Sequence, residues 1–217
     1  MDRPLAGRSA TAHAGNLITY KVIAPMSTIV VVRKAGLACI ACDTLAAVGS
    51  VKQKSHYSEA PSKIFQFRDT LIGTVGYAVH NAVLHSYFSR YPDNVKLDTA
   101  ADVFETWRVM HNILREEYHM NPRAETDDAY ETTRMSALLA SPRGIFGVTP
   151  SRDVEEFPRF WAIGSGAAHA LGAMFTLFER TEEAEEIARA GVAAGAEFDE
   201  GSELPVVLHQ VRLAPKR

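Results

Sequence analysis

The chain has little cysteine, no long apolar run and no excess of positive charge. Its two cysteines among 217 residues, Cys39 and Cys42, cannot build a disulfide framework. They do form a C-x-x-C, but a redox pair of that spacing sits at a helix start near a βαβ unit. Here the motif falls inside a predicted strand, where residues three apart point to opposite faces. The pair reads as small core residues in a reducing, cytoplasmic compartment, and a four-ligand zinc site lacks its remaining partners. No apolar run reaches the length that spans a bilayer. A formal net charge of −3 lacks the basic excess of a nucleic-acid binder. The eight histidines form no metal pattern, and His80 and His85, five apart on a predicted helix, do not share a face. Gly164-Ser165-Gly166 could be a nucleotide-binding turn at a helix N-terminus. The full Gly-x-Gly-x-x-Gly would need glycine where His169 stands, and no βαβ unit follows. No cofactor, metal, nucleic acid or membrane is therefore expected, and there is no internal repeat or low-complexity tract.

What is present suits one soluble domain. The length allows a substantial core, and 47% of the residues are apolar. Residues 1–26 differ from the rest: Arg3, Arg8 and Lys21 are mixed with Gly, Ala, Ser and Pro without sustained periodicity. No apolar signal core is present, so secretion is not indicated. The segment is either a propeptide or upstream sequence with the working start at Met26. The second is favoured, because Met26 precedes a small residue, the kind after which an initiator Met is removed.

From Ser27 to Asp43 the sequence S-T-I-V-V-V-R-K-A-G-L-A-C-I-A-C-D reads as a β-hairpin. Ile29–Val32 and Leu37–Cys42 are its strands, and Gly36 can take the positive φ of the turn. Neither run alternates with polar residues, so both are expected to be covered on two faces. Thr44–Pro61 reads as a polar loop with a short strand, and Ile64–Phe67 and Leu71–Val75 as strands around Arg68-Asp69. Tyr77–Tyr91 reads as a helix with Val79, Val83 and Tyr87 in phase. A longer helix capped by Asp98 or Thr99 carries Val103, Trp107, Met110 and Leu114 as its inward stripe. Glu116–Arg134 is polar. Ser136–Ala140 and Gly144–Thr149 flank a Pro-containing turn. Phe160–Ile163 reads as a buried strand, followed by the helix Ala167–Glu179. Another helix would be capped by Thr181, with Glu182 and Glu183 in its first turn, and Leu204–Leu213 is a final strand. Strands, two helices, strands, two helices, strand: this order fits an α+β fold of two stacked sheets between helical layers.

The chain resembles the proteasome β-subunit/HslV superfamily. A hydroxyl residue heads the hairpin and Asp43 follows Ser27 by sixteen residues. Lys63 in P-S-K-I, Gly73-Thr74-Val75-Gly76, Gly164-Ser165-Gly166 and the D-x-x-S of Asp199 to Ser202 come after it in family order. Most of Ser27 to Val211 is covered. HslV and a set of bacterial proteasome homologues related to it are the nearest groups. The resemblance implies the four-layer αββα sandwich of N-terminal-nucleophile hydrolases, with the domain starting at Ser27. It also implies peptide-bond hydrolysis in which Ser27 supplies both nucleophilic hydroxyl and basic α-amine once residues 1–26 are gone.

By that resemblance Lys63 lowers the pKa of the Ser27 amine and hydroxyl, Asp43 holds Lys63, and the Gly76 N–H stabilises the oxyanion. Ser165, Asp199 and Ser202 support the amine, and Thr74 and Tyr77 contact substrate. Each residue also has a plainer reading: a solvated strand-start serine, a surface lysine, a strand-ending glycine, a common strand-to-helix turn, a solvated helix end. Thr28 is the rival nucleophile, but its spacing of fifteen to Asp43 would put the carboxylate on the wrong face. The chain departs from the family in having Ser for Thr, in having Gly76-Tyr77 for a Gly-Gly pair, and in the length of the polar stretch 116–134. The implied protein is a self-compartmentalising peptidase acting on peptides or unfolded polypeptides. It would assemble as a double ring of six or seven subunits per ring, with an AAA+ unfoldase as a partner left open. Eight acidic residues and one basic residue between Thr181 and Glu203 read as a solvated face, or, facing a chamber, as favouring cationic substrates. An inactive ring scaffold on the same fold is the alternative.

Overall fold

The structure, a computed structural model, describes residues 26–48, 51–122 and 129–215. The expected leader, Met26 apart, lies outside the described residues, as does the middle of the polar stretch 116–134. The chain runs β1 (Ile29–Lys34), β2 (Leu37–Cys42), β3 (Ala46–Val48), β4 (Val51–Gln53), a 3₁₀ turn at Ser55–Tyr57, β5 (Ile64–Phe67), β6 (Thr70–Val75) and α1 (Val79–Arg90). A second 3₁₀ turn, Pro92–Asn94, leads to α2 (Ala100–Glu116), β7 (Ser136–Ser141), β8 (Gly144–Val148), β9 (Val154–Phe157), β10 (Phe160–Ile163), α3 (Ala167–Phe178), α4 (Ala184–Phe198) and β11 (Val207–Arg212).

Period-two alternation within the apolar strands builds four layers. One sheet has the order β10-β1-β2-β11 and the other β5-β6-β7-β8-β9, every ladder antiparallel. Ile29, Val31, Ile40 and Cys42 point between the sheets and meet Ile64, Leu71, Leu138 and Ile145. Their neighbours Val30, Val32, Cys39 and Ala41 point the other way, onto Met174 of α3 and Ile187 and Val192 of α4. On the far side Ile72, Leu139 and Phe146 pack under α1 and α2 through Leu84, Tyr87, Phe88, Trp107 and Met110. The result is the αββα sandwich expected from the order of elements. Continuous apolar runs are tolerated because both faces of each sheet are covered. The C-x-x-C divides accordingly: Cys39 faces the helices and Cys42 the other sheet. Burial pushes both thiols up to about 11, so they stay protonated and inert.

Several details differ from the sequence reading. The first strand runs two residues further, to Lys34, because the turn needs only Ala35 and Gly36, both at positive φ (48° and 76°). A two-residue turn with that geometry matches the right-handed twist of its strands. The buried face of α1 is His80, Leu84, Tyr87 and Phe88, with Val79 exposed. The phase is set by packing on Phe65 and Trp107 rather than by counting valines. Thr99, the expected cap, accepts from Asp102 N–H at 3.1 Å. Thr181 does not cap α4; its hydroxyl takes the Glu183 N–H, and the helix begins at Ala184, with Glu185 and Glu186 in the first turn. β10 is an edge strand with only Ala162 buried and Trp161 stacked on Phe157. β9, absent from the sequence reading, is only four residues long, with Glu155 and Glu156 at its centre. No helix among the described residues is long and apolar enough to cross a membrane.

Ala35 occupies a left-handed conformation that a β-carbon disfavours. Replacing it with Asn, which tolerates that region, should raise stability by about 0.5–1 kcal/mol. The check is a higher urea midpoint at unchanged m-value; an unchanged or lower midpoint would show that the turn does not limit the hairpin.

Candidate active site

Hydrogen bonding beyond the end of β2 creates the centre of the site. Register pairs Ile29 with Cys42, and the ladder continues one step, Asp43 N–H donating to Thr28 C=O at 3.0 Å. Thr28 and Asp43 therefore stand opposite each other, where a regular ladder would put their side chains on one face. They part because β2 ends at Cys42. Asp43, with no exposed surface, turns inward and its Oδ1 accepts from the Thr28 N–H (2.9 Å) and from Lys63 Nζ (2.5 Å). Its Oδ2 accepts from the N–H groups of Leu45 (3.0 Å) and Glu203 (3.3 Å). A carboxylate with four donors can stay charged in a buried place. The face argument against Thr28 thus fails in its geometry, and a different contact takes up the Thr28 side chain. Its hydroxyl is buried against α4 and lies 2.8 Å from Ser202 Oγ.

Lys63 stands just before β5 and is only 13% exposed in its side chain. Its carbonyl accepts from Thr74 N–H, so the paired edge of the second sheet sets its position. Ser27, at the head of β1, and Lys63 line the same cleft of about 440 Å³, together with Thr74, Gly76 and Tyr77. The β3–β4 hairpin and the segment through Ser58 to Ser62 form its other wall. Thr74 donates its hydroxyl to Asn81 Oδ1 at 2.5 Å, so it ties the start of α1 to β6. Tyr77 is 53% exposed.

Ser165, Asp199 and Ser202 lie behind Ser27 rather than in the cleft. Ser27 N–H donates to Ser165 Oγ at 3.2 Å, and Ser165 Oγ–H donates to Asp199 Oδ2 at 2.8 Å. Ser202 also donates to Asp199 Oδ2, at 2.7 Å. Having spent its one proton there, Ser202 must accept from Thr28. The two hydroxyls thus pass hydrogen bonds in one direction, from the backbone and side chain of residues 27 and 28 toward one carboxylate at the end of α4. The Ser27 hydroxyl itself donates to the Met26 carbonyl.

Glycines let the backbones meet. Gly164 has φ +100°, and a β-carbon there would lie 2.1 Å from the Ser27 carbonyl oxygen. One at Gly166 would lie 2.0 Å from Thr28 Oγ1, and one at Gly195 of α4 would lie 2.2 Å from that atom. The Gly-Ser-Gly turn is consequently filled by the chain's own Ser27 and Thr28, with Gly166 N–H donating to Ser27 C=O. A nucleotide has no room there. The sequence reading missed Gly195, Glu203 and Thr28 as parts of this assembly. Only Gly191 and Gly195 carried a signal: two glycines four apart on a helix mark a close approach, and a β-carbon at Gly191 would meet Met174 and Val30.

Comparison with solved structures places the chain beside three of known identity. It is similar to Thiobacillus denitrificans BPH, with 38% identity and a TM-score of 0.83 over 87% of this chain and all of that one. The same protein in complex with epoxomicin matches with 38% identity and a TM-score of 0.81 over the same shares. The eukaryotic HslV from Trypanosoma brucei matches with 19% identity and a TM-score of 0.62, over 85% of this chain and 99% of that one, a likeness of fold. No family model and no curated protein matches the chain.

Removing the Asp43 carboxylate would leave the Lys63 ammonium and three N–H groups without their acceptor. Asp43→Ala should therefore cost about 3–5 kcal/mol, the range for breaking a buried charged pair, read from urea denaturation. A loss below about 1 kcal/mol, the scale of a single exposed ion pair, would mean that water replaces the carboxylate at little cost.

Proposed function

The chain belongs to the proteasome β-subunit/HslV superfamily, and on that premise we propose that it is a peptidase of the N-terminal-nucleophile type, with Ser27 as nucleophile. The observation that carries the proposal is the meeting of Ser27 and Lys63 in one cleft, with Lys63 held by the buried Asp43 and the Ser27 nitrogen held by Ser165. Residues 1–26 must be absent from the working enzyme, so that the nitrogen bonded to Ser165 becomes a free α-amine. An α-amine has an ordinary pKa of about 7.7–8.0. The Lys63 ammonium beside it favours the neutral form, which can accept a proton near neutral pH.

In the reaction the Ser27 hydroxyl oxygen bonds to the scissile carbonyl carbon while its proton passes to the α-amine. Negative charge on the carbonyl oxygen is met by the Gly76 N–H. The tetrahedral species collapses: the C–N bond breaks, the leaving amine takes the proton from the α-ammonium, and an ester on Ser27 remains. Water then adds to that ester with the amine again accepting its proton, and the acid product leaves with Ser27 restored. Asp43 fixes Lys63, while Ser165, Asp199 and Ser202 keep the amine oriented. Thr74 and Tyr77 shape the cleft for a peptide or unfolded chain. Like its superfamily, the protein would work as a homo-oligomeric double ring with its clefts facing an enclosed chamber.

Ser27→Ala should abolish peptide hydrolysis and leave assembly intact, and Lys63→Ala should lower the rate by about 10²-fold or more. The solved complex of Thiobacillus denitrificans BPH with epoxomicin makes that α′,β′-epoxyketone the natural probe. Its stable ring requires both the oxygen and the nitrogen of an N-terminal Ser or Thr, so intact mass should show one adduct on Ser27 and loss of activity in parallel. Adduct and activity in protein whose mass still includes residues 1–26 would rule out the mechanism. Neither adduct nor activity on a correctly exposed Ser27 would leave a ring scaffold instead.

A further inference from the structure

The connection between β6 and α1 carries a feature that none of the roles above uses. Gly76, Tyr77 and Ala78 join Val75 to Val79 and line the cleft beside Ser27. His80, 5% exposed, lies directly over this connection. Its Nδ1 accepts the Tyr77 N–H at 3.1 Å, and its backbone N–H donates to the Tyr77 carbonyl at 2.9 Å. The Tyr77 ring stands edge-on to the imidazole, with centroids 5.7 Å apart. A β-carbon at position 76 would lie 2.4 Å from His80 Nδ1 and 3.0 Å from the Arg134 carbonyl. Gly76 and His80 are therefore a matched pair: glycine is needed at 76 because the imidazole sits there.

Resting on the peptidase reading, we propose that His80 is a positioning residue for the cleft. As a neutral imidazole it holds the Gly76–Tyr77 backbone in place beside Ser27, and its protonation releases that backbone. The Nδ1 acceptor puts the ring proton on Nε2. An imidazolium carries a proton on both nitrogens and cannot accept from Tyr77. The far side of the ring lines a second cavity of about 220 Å³, bounded also by Tyr77, Tyr118, His119 and Arg134. Those are the titratable and charged groups lining it among the described residues, and none of them is a carboxylate that would compensate a positive ring. Burial, reinforced by Arg134, holds the His80 pKa below its ordinary value. A histidine lowered in the folded state is neutral and locking at neutral pH. The stability it contributes is present above about 6.5, the unfolded value, and is lost as the pH falls toward the lower folded value. The cleft therefore opens to acid, not to base. The second tie, Thr74 hydroxyl to Asn81, does not titrate and keeps α1 anchored while the connection moves.

Hydrogen exchange of the Tyr77 amide tests this without depending on catalysis. In the intact protein, corrected for the intrinsic pH dependence of exchange, protection should fall about fivefold or more between about pH 7.5 and 5, the loss of one hydrogen bond. His80→Asn presents a non-titrating acceptor near the Nδ1 position and should keep that protection flat. His80→Phe fills the same space without an acceptor and should be unprotected at every pH. In peptidase assays the Phe variant should lose kcat about tenfold with KM little changed, and the Asn variant should stay within about threefold of the parent. Tyr77 protection that does not change with pH in the parent, or that changes equally in His80→Asn, overturns the proposal. If the exchange results hold and no peptide is hydrolysed, the peptidase reading fails and the His80 lock stands.

Discussion

The buried carboxylate of Asp43 is the interaction on which the architecture around the cleft depends. Among the described residues it joins the start of β1, the end of β2, the turn into β11 and the lysine before β5 at once. Three of those elements, β1, β2 and β11, belong to one sheet and the fourth, β5, to the other. A charge without exposed surface is stable only when its lone pairs are taken up. Once they are, its position tolerates little change, so the carboxylate works as a fixed post between the sheets. Lys63 is aimed into the cleft because its ammonium is tied to that post and its carbonyl to Thr74.

The other organising constraint is steric. Ser27 and Thr28 run through a passage bounded by Gly164, Gly166 and Gly195, where any β-carbon would fall about two ångströms from a backbone or side-chain oxygen. The passage closes from the helical layer, while Asp43 closes from the sheet layer. Between them Ser27 and Thr28 have one path. That path sends the Thr28 hydroxyl inward to Ser202 and leaves Ser27 at the cleft. Gly76 repeats the device on the opposite wall, where the missing β-carbon makes room for His80. Similarity to Thiobacillus denitrificans BPH over that protein's whole length is consistent with a fold in which such close approaches leave little freedom.

Local chemistry made much of the fold legible. The β-branched run Ile29–Val32, the positive-φ glycine at 36, the Thr99 cap and the Val103–Trp107–Met110–Leu114 stripe each act over a few residues. Reading them required no knowledge of the rest of the chain. Failures occurred where a neighbour decides. The face of α1 follows Phe65 and Trp107, the exposure of β10 follows its place at a sheet edge, and the short acidic β9 pairs only because β8 offers it a ladder. Spacing alone also misplaced Thr28 relative to Asp43: the register of the hairpin pairs the two residues directly, and where their side chains go is decided by partners elsewhere, Ser202 for Thr28 and Lys63 for Asp43.

By itself, then, the sequence determined the order of strands and helices, the covered faces of the first hairpin, and the set of residues worth watching. Ser27, Asp43, Lys63, Gly76, Ser165, Asp199 and Ser202 could be named because their types and order along the chain resemble those of the superfamily, a comparison that needs no coordinates. Tertiary structure alone decided which of them share the cleft and which stand behind it, and which of two adjacent hydroxyls faces out. It also decided that Gly76 answers to a histidine four residues on. The physical reason is that hydrogen bonds and steric exclusion act through space at a few ångströms. Their partners here lie up to 174 positions apart in the chain, a separation that no periodicity encodes.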